Sequence, residues 1–63
     1  MLRERIQEWL AVQARPKSIK DIQKRFLCSQ SAARLAAMDA VKQDRVAFCV
    51  LGREYHFSKK EKQ

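Results

Sequence analysis

The sequence has few of the residues that most active sites, membrane spans and disulfide scaffolds need. It contains one glycine, one proline, one histidine and two cysteines among 63 residues. A single glycine excludes a glycine-rich phosphate loop, and no paired carboxylates suggest general acid–base chemistry. No apolar run reaches the roughly 18 residues of a membrane span. We therefore expect no enzyme, no catalytic residue, no cofactor, no small-molecule substrate and no membrane partner.

The cysteines and the histidine do not suggest a metal or disulfide site. Cys49 and His56 would supply only two of the four ligands of a zinc site, so no metal is expected. A disulfide between Cys28 and Cys49 would need an oxidising compartment. Arg3, Glu4 and Arg5 place charge where a secretory signal has an apolar stretch, so we expect a cytoplasmic, nucleoid-associated protein. Cys28 is then expected to be a small buried hydrophobic residue.

Positive charge is abundant and unevenly distributed. Fourteen Lys and Arg residues against seven Asp and Glu residues give a formal net charge of +7. The excess is concentrated in residues 17–34, where five cations accompany one carboxylate. Solubility alone rarely requires charge to be concentrated in one segment. The distribution therefore indicates a polyanionic partner, most often nucleic acid.

Hydrophobic spacing predicts helices in the first two thirds of the chain. The first spans 2–13 and ends near Pro16, because proline disfavours helix at the residue before it. Ser18 is expected to cap the second helix, and Asp21 suits the positive end of its dipole. Ser29 caps a third helix from Gln30 to about residue 44, with alanines forming a flat face. The residues that form the apolar faces of these three helices are Leu2, Ile6, Trp9, Leu10, Ile19, Ile22, Phe26, Ala33, Ala36, Ala37 and Ala40.

A β-hairpin is predicted after the third helix. Residues 46–51 are β-branched and aromatic, Gly52 and Arg53 fit a two-residue loop, and residues 54–57 return as the second strand. This register places Val50 opposite Tyr55 and Phe48 opposite Phe57, and Cys49 and His56 take the other side. We expect one α+β domain over residues 1–58, followed by a basic flexible tail at 59–63. The residues expected to cover the helices are Val46, Phe48, Val50, Tyr55 and Phe57.

Three helices followed by a hairpin is the order of a winged helix-turn-helix domain. Residues 18–34, Ser-Ile-Lys-Asp-Ile through Phe-Leu-Cys-Ser-Gln-Ser-Ala-Ala-Arg, resemble the helix-turn-helix of small bacterial winged-helix regulators. The pair Ala33-Arg34 and the aromatic strand 55–57 are similar to the pilus-operon regulators of the Pap and Fae type. Gln23 replaces the usual small residue after the central isoleucine, and Asp44 replaces the glycine that usually ends the third helix. The resemblance covers residues 1 to about 58 and implies a sequence-specific DNA-binding regulator of transcription.

The resemblance also implies which residues contact double-stranded DNA. The helix that follows the turn enters the major groove with its first turns, whereas cations around it hold phosphates. Arg53 at the hairpin tip is the expected wing contact with the minor groove or backbone. The expected base-reading residues are Gln30, Ser31 and Arg34. The expected phosphate contacts are Lys17, Ser18, Lys20, Lys24 and Arg25.

Two other functions remain open. A phage or mobile-element excisionase also uses a compact basic winged helix, and it bends DNA at recombination sites. A winged-helix adaptor that binds a protein would be favoured if Leu35, Met38 and Leu51 were exposed and contiguous. High specificity from so small a domain requires either a homodimer on two half-sites or a partner regulatory protein. Candidate contacts for such assembly are the apolar residues of the third helix, or Leu2 and Trp9 of the first.

Overall fold

Three helices and a three-stranded antiparallel sheet make up the fold. The computed structural model describes residues 1–60, and Glu61, Lys62 and Gln63 of the predicted tail lie outside the described residues. The expected α+β class is confirmed. In chain order the elements are α1 (Leu2–Ala11), β1 (Lys17–Ser18), α2 (Ile19–Phe26), α3 (Gln30–Lys42), β2 (Val46–Leu51) and β3 (Glu54–Lys59).

The sheet has one strand more than the two-stranded hairpin expected from the sequence. Lys17 and Ser18 pair antiparallel with Phe57 and His56, which gives the strand order β1-β3-β2. The predicted hairpin of β2 and β3 is present, but the expectation that the sheet has only two strands was wrong. A strand of two residues is too short for any periodic pattern, and its partner lies about forty residues further along the chain.

The helices begin where the sequence predicted them, and two of them end earlier than expected. Ser18 and Asp21 form a reciprocal capping box at the start of α2, and Ser29 caps α3 through the amide of Ala32. The first helix ends at Ala11 rather than residue 13. The third ends at Lys42, and Asp44 then adopts a left-handed conformation with φ of 62°. Asp44 thus adopts a left-handed backbone geometry that glycine adopts most readily.

The core is formed by small residues of α3 and large residues of the other elements. Trp9 packs against it and meets Phe26 edge to face, with ring centroids 5.6 Å apart. The four alanines of α3 bring its backbone close to its neighbours, since a methyl group adds little thickness. The buried apolar residues are Ile6, Leu10, Ile22, Ala33, Ala36, Ala37, Ala40, Val46 and Phe57. No helix among residues 1–60 has the length and apolar character needed to span a bilayer.

The hairpin has the predicted register and loop but is only partly covered by the helices. Val50 lies opposite Tyr55, Phe48 lies opposite Phe57, and β3 continues through Lys59. Phe48, Val50 and Tyr55 are 45, 56 and 39% exposed, so the expectation that they cover the helices was wrong. Among the five residues on this side only Val46 and Phe57 are buried, because the hairpin extends beyond the helices that pack on its base.

One buried polar residue was not anticipated. Gln7 is 1% exposed, and its Nε2 donates to the Ala36 carbonyl at 3.1 Å. Its Oε1 accepts from Nη1 of Arg45 at 2.6 Å, and the same Nη1 lies 2.9 Å from Oε1 of Glu4. These contacts join α1, α3 and the residue just before β2. Every polar atom of the Gln7 side chain is thereby satisfied, as a buried amide requires.

Replacing Gln7 by alanine should lower the free energy of unfolding by about 2 kcal/mol or more, because it removes one buried and one partly buried hydrogen bond and leaves a cavity. Urea denaturation of Gln7→Ala measures this loss. Glu8→Ala, an exposed change on the same helix, is the control and should stay within about 0.5 kcal/mol of the parent protein. Equal stability of the two variants would contradict a structural role for the Gln7 contacts.

Candidate nucleic-acid interface

A concave surface lies where the starts of α2 and α3 meet the tip of the hairpin, and the pocket that it forms has a volume of about 250 Å³. Four of the residues predicted to contact DNA line it together. Each of the three elements contributes a cation, and one carboxylate lies among them. The lining residues are Ile19, Lys20, Gln23, Gln30, Arg34, Arg53, Glu54 and Tyr55.

The first turns of α3 are exposed on this surface. The Ser29 hydroxyl accepts from the Ala32 amide at 3.1 Å, which starts the helix immediately before Gln30. Gln30 and Arg34 are four residues apart and therefore lie on the same side of the helix. Both are exposed, whereas Ala33 on the adjacent side is fully buried. The helix is thus held by its alanines while its polar side chains remain accessible.

The turn between α2 and α3 orients the two helices. Leu27 ends α2 in a left-handed conformation with φ of 53°, and its amide donates to the Gln23 carbonyl at 2.7 Å. The side chain of Gln23 donates in turn to the Cys28 carbonyl at 3.4 Å. Gln23 therefore contacts the turn and also lines the concave surface.

Four lining residues were missed by sequence analysis, and one of them, Ile19, was assigned to the buried stripe of α2. Gln23 lies three residues after Lys20, so helical spacing alone could have placed both on one side of α2. Tyr55 was assigned to the core because it shares a strand face with Phe57. Its position opposite Val50, two residue pairs from the buried Phe57, is the signal that it lies near the hairpin tip. Glu54 flanks the loop and gave no signal of its own.

The other predicted contacts lie outside the concave surface. Lys24 is exposed one turn after Lys20, and Ser31 is exposed beside Gln30 on α3. The Arg25 guanidinium lies over the Phe26 ring, 5.3 Å from its centroid. Lys17 is half-buried in β1. None of these residues lines the concave surface.

Ser18 has a structural role that occupies both of its polar groups. Its amide donates to Oδ2 of Asp21 at 3.0 Å, and its hydroxyl accepts from the Asp21 amide at 3.3 Å. The residue is 8% exposed. The cap thus uses the Ser18 amide and an acceptor site of its hydroxyl, and Ser18, a predicted phosphate contact, does not line the concave surface.

The same capping box sets the ionisation of Asp21. The hydrogen bond from the Ser18 amide, opposed by partial desolvation, lowers the pKa of the Asp21 carboxyl below its usual 3.8. The Ser18 hydroxyl and the positive charges of Lys17 and Lys24 act in the same direction as the amide. Asp21 therefore stays ionised at neutral pH and neutralises part of the charge at the start of α2.

The cap should make stability depend on pH in the acid range. The pKa of the Asp21 carboxyl is lower in the folded than in the unfolded state. Such a group adds its full contribution to stability when the pH is above its unfolded-state pKa, and this contribution is lost as the pH falls through the folded-state pKa. The advantage of the parent protein over Asp21→Asn should be constant near neutral pH and shrink as pH falls below 3.8. Chemical denaturation at several pH values measures it. An advantage that persists unchanged down to about pH 2 would contradict this role.

Comparison with protein-family models, with curated proteins and with solved structures finds no match to this chain. Within residues 1–60, no three His, Cys, Asp or Glu side chains are grouped as a metal site would require. A role for the concave surface must therefore be argued from its own geometry and chemistry.

Proposed function

We propose that the protein binds double-stranded DNA sequence-specifically and regulates transcription, reading the major groove with the first turns of α3. The observation that supports this best is the single concave surface shared by α2, α3 and the hairpin tip. It combines exposed cations with amide and hydroxyl-bearing side chains, the mixture that duplex recognition uses. In the order and placement of its elements, the fold is compatible with a winged helix-turn-helix domain.

Each side chain on the surface has a defined part in this proposal. Arg34 donates two hydrogen bonds to a guanine edge, and Gln30 pairs with an adenine edge. Ser31, exposed next to Gln30, contacts a base or a phosphate. A well-formed two-bond contact contributes about 1–3 kcal/mol of discrimination between bases. Arg53 and Tyr55 at the hairpin tip contact the adjacent backbone or minor groove.

The cations around the surface hold the sugar–phosphate backbone. Lys20 lies within the concave surface, and Lys24 follows one turn later on the same side of α2. Lys17 and Arg25 extend the positive charge along the same segment of the chain. The negative charge of Glu54 opposes these cations. Because its carboxylate repels phosphate, we expect the hairpin tip to contact the DNA through Arg53.

Excisionase-type DNA bending is the second candidate, since it would use the same surface. Footprinting separates the two functions: a recombination protein protects repeated sites at an attachment region, whereas a regulator protects a promoter element.

The adaptor hypothesis, in which the domain binds a protein, has weaker support. Leu35 and Leu51 are 61 and 51% exposed, but Met38 packs against the core, so only two of the three required residues are available.

Binding to a random duplex should weaken steeply with salt. If about five phosphates are neutralised, the logarithm of the affinity should fall against the logarithm of salt concentration with a slope near −4.5. Fluorescence anisotropy with a labelled duplex of about twenty base pairs measures the slope. A flat response would contradict phosphate binding.

Amide chemical-shift changes on addition of duplex DNA should cluster at residues 17–34 and near Arg53, and changes confined to α1 would contradict the proposed surface.

Arg34→Ala should lower binding to a sequence selected from a random pool more than binding to random DNA, by about tenfold or more, because a base contact is lost. Arg5→Ala, on the exposed side of α1, removes the same charge away from the concave surface and is the matched control. It should affect both DNAs little and equally. If Arg34→Ala weakens both DNAs to the same extent, Arg34 contacts phosphate and does not read sequence.

A further inference from the structure

The free edge of the sheet is an uncharged strand. The order β1-β3-β2 leaves β2 with a partner on one side only among residues 1–60. Its six residues, Val46–Leu51, include no charged residue and no proline. Soluble proteins usually protect such an edge with lysine, proline, a bulge or a covering element, because unpaired backbone groups pair readily with another strand. Here five of the six residues are exposed.

The hairpin geometry determines which backbone groups face outward. A two-residue loop makes Leu51 and Glu54 a hydrogen-bonded pair, so Leu51, Cys49 and Ala47 bond to β3. The amides and carbonyls of Phe48 and Val50 must then point to the free edge. The amide of Lys59 donates to the Gln13 carbonyl at 2.8 Å, on the side of β3 away from β2, as this alternation requires.

We propose that the partner of this edge is a second copy of the same chain, paired antiparallel about a twofold axis at Cys49. The exposed segment 47–51 has Cys49 at its centre, whereas Val46 is buried. Because the twofold axis is normal to the sheet, side chains on one face of the sheet in the first copy lie on the same face in the second copy. Phe48 then pairs with the partner's Val50 and Val50 with the partner's Phe48, and each pair exchanges both backbone hydrogen bonds.

The side chains match one another in this register. An aromatic residue faces a β-branched one at Phe48 and Val50, a favourable cross-strand pair. A small residue faces a large one at Ala47 and Leu51, and the two Cys49 side chains face each other. The paired segment contains no charge, although the chain as a whole carries +7. The unfavourable electrostatic contributions are the overall repulsion between the two copies and, at each end of the paired segment, Arg45 of one copy near Arg53 of the other; salt screens both.

The assembly is a six-stranded sheet with both concave surfaces on the same side. Tyr55 lines the concave surface and lies opposite Val50 on the face that also holds Phe48. A twofold axis normal to the sheet therefore presents two copies of the surface in one direction. If the proposed DNA binding holds, the target is a pair of inverted half-sites. The dimer itself does not depend on that function.

Sedimentation equilibrium of the full chain in reducing buffer tests the interface. The parent protein and Cys49→Ala should form dimers. Cys49→Lys and Cys49→Glu should each self-associate at least about tenfold more weakly, because like charges meet at the axis. An equimolar mixture of the two should restore the dimer, which also establishes that both variants are folded. Val12→Lys, a 70% exposed site at the end of α1, adds the same charge elsewhere and should remain dimeric.

Two further measurements test the register and the driving force. Mild oxidation should link the chains through Cys49, since about 4.5 Å between Cα atoms of a non-hydrogen-bonded pair suits a disulfide. Cys28→Ala should leave that link intact. Self-association should strengthen with salt, in the opposite direction to DNA binding, so each proposal can fail without the other.

The inference is overturned if the parent protein remains monomeric at concentrations up to about 1 mM. It is also overturned if Cys49→Lys dimerises as well as the parent protein, because the interface then lies elsewhere. If the amides of Phe48 and Val50 become protected from exchange only when duplex DNA is added to a monomer, DNA covers the edge and the self-pairing is wrong.

Discussion

The close approach of α3 to the rest of the molecule is the constraint on which the structure depends. Every buried residue of this helix is an alanine, so α1 and the base of the sheet lie against it without large side chains between them. Such a contact tolerates little change in volume. It also fixes which side of α3 faces outward, and Gln30 and Arg34 lie on that side.

A core of small residues in a short chain covers only part of the sheet. The helices bury Val46 and Phe57 at the base of the hairpin and leave Phe48, Val50 and Tyr55 exposed. A domain of about sixty residues buries only about 60% of the surface of its unfolded chain, so some apolar surface must remain accessible. In this protein part of that surface lies on the hairpin, next to the cations of the concave surface.

Both proposals follow from the projecting hairpin. One side of it, together with α2 and α3, forms the concave surface suited to a duplex. Its edge, β2, presents unpaired backbone groups without charge and suits another strand. The two proposed partners differ in physical character: we expect charge to govern binding at the first surface, and backbone hydrogen bonds and apolar contacts to govern it at the second. Ionic strength should therefore act on the two proposed interactions in opposite directions.

Local signals in the sequence determined the start of each helix, the hairpin register and the loop. The caps at Ser18 and Ser29 and the Gly52 turn act over a few residues, so spacing alone reveals them. Long-range contacts decided the rest. The pairing of β1 with β3, the burial of Gln7 against Arg45 and the exposure of Tyr55 depend on residues distant in the chain. Burial depends on how far each element extends past its neighbours, which no local pattern specifies.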